Sequence, residues 1–192
     1  MRKIESFGFA AIAVFAAVFA SGSATAQSRV SVYAHSLAPD VPSPQIIVDR
    51  MLELANLKSG ETVYDLGCGD GRVLVTAVER FHAKAVGVEL SDRVYKRAMA
   101  RMASLGLQNQ VKIIHGDLLE TDLSPADVVT IYLMTTSNES LRPRLEKYLK
   151  PGARVVSHDF MVPGWKPLLA ERTEADSHDH MIYLYMMPPV KK

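Results

Sequence analysis

Cysteine is nearly missing from this chain, with one, Cys68, in 192 residues. That excludes an internal disulfide and any zinc site built on cysteine pairs. Neither sign of charge is in excess: 22 lysines and arginines face 21 aspartates and glutamates, a net charge of +1. A chain so balanced lacks the basic footprint of a broad nucleic-acid binder, and no nucleic-acid partner is expected. Internal repeats and low-complexity stretches are absent. Forty-eight per cent hydrophobic residues exclude a disordered protein.

The first 26 residues read as a leader rather than as fold. Arg2 and Lys3 precede a 14-residue apolar run, Phe7 to Ala20, and Ala24-Thr25-Ala26 supplies small residues in an A-x-A pattern. The run is short of the roughly 20 residues a spanning helix needs. A secretory signal peptide cut after Ala26 is the expectation, which places the domain in an exported or periplasmic setting. The alternative is an uncleaved N-terminal anchor, with possible membrane association and the domain in the cytosol. Cleavage would remove Arg2, Lys3 and Glu5 and leave 20 basic and 20 acidic residues. Residues 27–44 carry Pro39, Pro42 and Pro44 and read as an extended lead-in to one domain, 45–192, large enough for a sizeable core.

From Gln45 onward, helical and strand patterns alternate. Ile47, Met51, Leu54 and Ala55 share one helix face. Thr62–Leu66 is β-prone, and a helix is expected from the following glycines to about His82. Ala85–Leu90 reads as a buried strand. Val94, Ala98, Met102 and Leu105 mark a helix closed by Gly106. Val111–His115 and Asp127–Leu133 are strands; Leu141, Leu145, Tyr148 and Leu149 line a helix stopped by Pro151-Gly152. Ala153–Ser157 and Met181–Met186 are the last two strands, with room for at most one short element between them. Strands separated by helices imply a mostly parallel, doubly wound α/β sheet covered on both faces, a three-layer sandwich.

The chemistry concentrates where the first strand runs into a helix, at Asp65-Leu66-Gly67-Cys68-Gly69-Asp70-Gly71. In such sheets ligands bind at the carboxyl ends of the strands, and glycines there let the backbone turn sharply beside them. The spacing is G-x-G-x-G, not the G-x-G-x-x-G of dinucleotide binders. Asp65 would also repel a pyrophosphate but welcome an amino group. Glu89 ends the second strand, where an acid can accept both hydroxyls of a ribose. Asp117, after the third strand, could accept a hydrogen bond from an exocyclic adenine amine. Each acid alone could be a solvated loop residue. In this order, at successive strand ends, they suit a ligand with an amino acid tail, a ribose and an adenine, which is S-adenosyl-L-methionine.

On these residues the chain resembles the class I, seven-stranded, Rossmann-like methyltransferases. Asp65–Gly71 matches their first motif, Glu89 the second and Asp117 the adenine-side acid, and residues 127–133 and 149–156 match later landmarks. The resemblance implies that Asp65 orients the methionine amino group, that Gly67 and Gly69 make room for the tail, and that Glu89 holds the ribose. Five stretches are similar to the small protein-lysine methyltransferases, including those acting on the ATP synthase c-subunit: Val41-Pro42-Ser43-Pro44, Met51–Ala55, Val63–Arg72, Asn138–Leu145 and Val155–Phe160. That implies a protein substrate with an accessible lysine. Small-molecule methylation, or an exported binding protein without catalysis, are the alternatives. In one place the chain departs from the group: Met134-Thr135-Thr136-Ser137 stands where a proline-containing turn is usual, at the expected acceptor side.

No catalytic base stands out. Tyr132 could be a core residue or face a sulfonium, since aromatic faces attract cations. Asn138 is expected to cap a helix. Asp176, His178, Asp179 and His180 read as a polar turn before the last strand, and no metal site is expected. His158-Asp159, after the fifth strand, could border the pocket or be loop; Cys68 reads as a small residue in the glycine loop, and Trp165 as a loop anchor.

Overall fold

A computed structural model describes residues 40–191. The expected leader and residues 27–39 of the lead-in lie outside the described residues. Helices α1 (Gln45–Leu54), α2 (Arg72–Phe81), α3 (Asp92–Ser104) and α4 (Thr135–Tyr148) alternate with the early strands. Those strands are β1 (Thr62–Leu66), β2 (Lys84–Glu89), β3 (Val111–His115), β4 (Val128–Ile131) and β5 (Arg154–His158). Then follow β6 (Trp165–Lys166), β7 (Leu169–Ala175), β8 (His178–Met186) and β9 (Val190–Lys191). Among the described residues no helix is long and apolar enough to cross a membrane.

Seven strands form one sheet in the order β3-β2-β1-β4-β5-β8-β7. The first five run parallel; β8 adds antiparallel to β5, and β7 antiparallel to β8. This is the mostly parallel, class I sheet expected. Parallel strands buried on both faces need near-continuous apolar runs, and β4, Val128-Val129-Thr130-Ile131, is buried throughout. One core lies under α1, α2 and α3, around Ile47, Leu52, Leu74, Ala98 and Met102. The other lies on the opposite face, around Leu66, Ile131, Leu141, Leu145, Trp165 and Tyr185.

Two regions differ from the expectation. Between β5 and β8 there is a full seven-residue strand, β7, besides the two-residue β6. Its sequence, Leu-Ala-Glu-Arg-Thr-Glu-Ala, is that of a polar edge strand and carries no run of buried residues. β8 also starts at His178, three residues early, so the polar turn shrinks to Asp176-Ser177, both at positive φ. Helix α4 begins at Thr135, ahead of its apolar face, because its first turn buries Ser137 and Asn138 instead of hydrophobic side chains.

Candidate active site

β1 is the switch point of the sheet: β2 and β3 lie to one side of it, β4 and β5 to the other. A crevice therefore opens at the carboxyl ends of β1 and β4. The loop after β1 folds over the end of β2, where the amides of Gly67 and Cys68 both donate to the Val88 carbonyl, at 2.9 and 3.0 Å. Gly67 has φ +83°, Gly69 φ +55° and Gly71, the residue before α2, φ +76°, left-handed conformations that side chains resist. This accounts for the G-x-G-x-G spacing. Cys68 is buried and packs on Gly87 of β2, and burial pushes its thiol pKa up, away from reactivity.

The structure brings the expected acids together around this loop. Glu89 Oε2 accepts from the Gly69 amide at 3.2 Å, and its Oε1 from the Ser91 amide at 2.8 Å. The Gly116 amide donates to the Glu89 carbonyl at 3.0 Å, which draws Asp117 to the same edge. Asp117 Oδ1 accepts from the Leu119 amide at 2.8 Å. Asp65 lies deeper. It is buried, and Thr130 of β4 donates to its Oδ1 at 2.7 Å. Burial pushes the Asp65 carboxyl up to about 7; the negative charges of Asp70 and Glu89 push the same way and the Thr130 bond opposes them.

Sequence reasoning missed that residues 40–44 form a strap tied to this loop. Arg72 donates to the Ser43 carbonyl at 2.7 Å, and Arg97 pairs with Asp40 at 2.9 Å. Asp70 is held by Arg72 and Arg101, at 2.9 and 2.7 Å. Burial alone would raise its carboxyl, but the Arg72 bonds and both guanidinium charges outweigh that and hold it below the usual carboxylate range. The only sequence signal for the strap was the proline-rich stretch ending at Pro44.

Across the crevice, Tyr132 follows β4. Its ring lies 3.9 Å, centroid to centroid, from that of His158 and 6.2 Å from Phe160. Its hydroxyl donates to Asp159; burial and the Asp159 charge both push the phenol pKa up. Asn138 is not a helix cap. It lies inside α4, fully buried, and its amide donates to the carbonyls of Phe160 and Met161 at 3.0 and 3.3 Å. His158 is also fully buried, at the end of β5 rather than in a loop. Trp165 is core, its indole donating to Glu146 at 2.8 Å and its ring edge-on to Tyr185.

Residues 65–169 match the model of the ANTKMT methyltransferase domain. A protein-lysine N-methyltransferase of Saccharolobus islandicus is 46% identical over 150 residues, covering 78% of this chain and 93% of that enzyme. The chain belongs to the ANTKMT methyltransferase-domain family. It is an S-adenosyl-L-methionine-dependent methyltransferase. The mouse lysine N-methyltransferase of the ATP synthase c-subunit is 29% identical over 67% of this chain and 51% of that enzyme, so the chain spans about half the mouse protein. A crystal structure from Salinibacter ruber, described as an RNA methyltransferase in complex with S-adenosyl-L-homocysteine, superposes with a TM-score of 0.71. It is 39% identical and covers 77% of this chain and 94% of that one. The site fits S-adenosyl-L-methionine: carboxylates suited to an amine and a ribose, and a loop whose Gly69 has nothing nearer to a would-be Cβ than Asp40 Oδ1 at 3.9 Å.

Proposed function

We propose that this methyltransferase acts on the side-chain amine of a protein lysine. What carries the reading is the 46% identity to a protein-lysine N-methyltransferase over nearly that enzyme's whole length. Bound S-adenosylmethionine supplies the electrophilic methyl group. Asp65 receives the cofactor's amino group, Gly67 and Gly69 let its tail approach the backbone, Glu89 takes the ribose hydroxyls, and Asp117 the adenine amine. The acceptor enters from the β4 and β5 side, between Tyr132 and the chain after His158. A lysine amine there must first lose its proton, and desolvation favours the neutral form. In-line transfer then needs the nitrogen about 3–3.5 Å from the methyl carbon, so positioning is the main task of the chain.

The test incubates the purified protein with methyl-labelled cofactor and a cell lysate and resolves the products on a gel. Glu89→Ala runs alongside and should lose cofactor binding. A labelled protein band absent from the variant lane, with label on lysine after hydrolysis, supports the reading. Label that RNase removes would favour the second reading, an RNA acceptor, for which the Salinibacter relative speaks. Label confined to small molecules would replace both. We also propose export of the domain, on the layout of residues 1–26. An inactive alkaline phosphatase fusion would contradict it.

A further inference from the structure

We propose that His158, Asp159 and His180 form a binding site for one divalent transition-metal ion of the zinc class. The three residues come from the end of β5, the residue after it, and the neighbouring antiparallel strand β8. His158 Nε2 lies 2.9 Å from His180 Nδ1 and 3.3 Å from Asp159 Oδ2, and His180 Nδ1 lies 3.1 Å from the same oxygen. These are the edges of a small triangle of ligand atoms. An ion at bond lengths of 2.0–2.1 Å in tetrahedral geometry spans ligand atoms about 3.3 Å apart, so the three atoms need to spread by only a few tenths of an ångström. Two imidazoles and one carboxylate suit zinc and its neighbours, and three protein ligands leave a fourth position open.

The surroundings are those of a built site. Metal-binding histidines usually bond through their second nitrogen to a fixed partner. His158 Nδ1 faces the hydroxyl of Ser43 at 2.8 Å, so the strap sets its orientation and turns Nε2 inward. Asp159 is anchored through Oδ1 by the Met181 amide at 2.9 Å, and the Tyr132 hydroxyl also donates to it. Asp159 adopts φ +58°, a conformation that aspartate tolerates better than most residues, and this brings its carboxylate back against β8. Hydrogen bonds alone serve the triangle poorly. If the His158 proton sits on Nδ1 toward Ser43, one proton, on His180 Nδ1, is left for three close contacts among lone pairs. A cation at the centre satisfies all three. The neighbouring His178 and Asp179, in contrast, are exposed, His178 facing the Asp176 carbonyl and Asp179 pairing with Arg172. An ion here would clip β5 to β8 and hold the strap through Ser43, beside Tyr132 but away from Glu89 and the glycine loop.

The full chain, stripped with a chelator, is titrated with Co²⁺ followed by visible absorption and with Zn²⁺ followed by calorimetry. One ion per chain is expected, with the d–d bands of a nitrogen- and oxygen-ligated Co²⁺. His180→Ala should lose the site and His178→Ala should keep it. Ser43→Ala, which removes no ligand, should weaken binding by about tenfold. Far-UV circular dichroism checks that each variant folds. If His180→Ala fails to fold, Asp159→Asn carries the same comparison. The absence of saturable binding, or equal binding by His180→Ala and His178→Ala, overturns the proposal.

Discussion

A carboxyl group folded beneath a glycine loop and kept protonated into the neutral range is a proton that a cationic ligand can displace. Asp65 is that group. Its pKa in the folded protein is raised from 3.8 to about 7, first by burial. The folded chain therefore holds a proton between those values that the unfolded chain has lost. The stability Asp65 contributes is complete below pH 3.8 and falls as pH rises through about 7. A cofactor amine held beside it, as proposed, would favour the ionised form. Cofactor affinity should thus rise with pH by up to about tenfold per unit below pH 7 and level off above it. Near pH 8 the ligand's own amine, with a pKa of about 7.7–8.0, starts to lose its charge and the gain ends. Calorimetry in two buffers of different ionisation enthalpy should show proton release on binding at pH 6. Asp65→Asn should bind more weakly and release no proton. An unchanged pH slope in that variant would remove Asp65 from the amine site.

The residue types at these positions are legible in the sequence because their chemistry is local. An acid ends a buried run, alternate glycines follow, and further acids close the next two strands. Asn138 and His158 are not legible in the same way. Asparagine favours caps, whereas the Asn138 amide serves carbonyls 22 and 23 residues away, at Phe160 and Met161. His158, from its neighbours alone, could be loop or pocket edge. Its partners are Ser43 and His180, 115 and 22 residues off, and no spacing within one strand announces them.

At the scale of elements, the glycine loop depends on a glycine outside it. A Cβ on Gly87 of β2 would fall 2.6 Å from Cys68 Sγ and 2.7 Å from Leu74 Cδ1. Both neighbours are buried, and Leu74 is locked in α2 against the sheet. Gly87→Ala should cost about 1–3 kcal/mol, the usual penalty of overpacking, and displace the loop through Cys68. Thermal melts and cofactor titration check both effects. Gly116→Ala is the control, since its methyl would meet only Ile114, at an ordinary 3.7 Å, and its φ is not in the left-handed region. Two strands match their sequence bounds to the residue: β1, a nearly continuous buried run, and β3, where buried Val111 and Ile113 alternate with the exposed Lys112. β7 escapes a sequence reading because it is an edge strand whose side chains are mostly exposed, so its pairing with β8 leaves no apolar period. The start of α4 escapes because polar side chains occupy its buried turn.

Taken whole, the molecule divides its crevice between two halves that the strap joins. Asp40 and Ser43 reach the glycine-loop side through Arg97 and Arg72, and Ser43 reaches the β5 side through His158. The arginines that rim the loop are all ion-paired, though not fully neutralised: Arg72 and Arg101 share Asp70, and Arg97 shares Asp40 with the more distant Arg93. The chain as a whole carries +1. Paired cations make a poor track for a polyanion, because binding to nucleic acid draws on unpaired charge that releases counterions. Transfer to a protein acceptor should therefore change only a fewfold between about 50 and about 200 mM salt, where an RNA acceptor held by 6–10 phosphate contacts would lose roughly 10³–10⁵ in affinity. Initial rates with the labelled acceptor across that range decide it. A steep loss with salt would mean that the acceptor is a polyanion and that the protein-lysine reading is wrong. A shallow one is what a chain of nearly balanced charge, with its loop arginines held in ion pairs, should give.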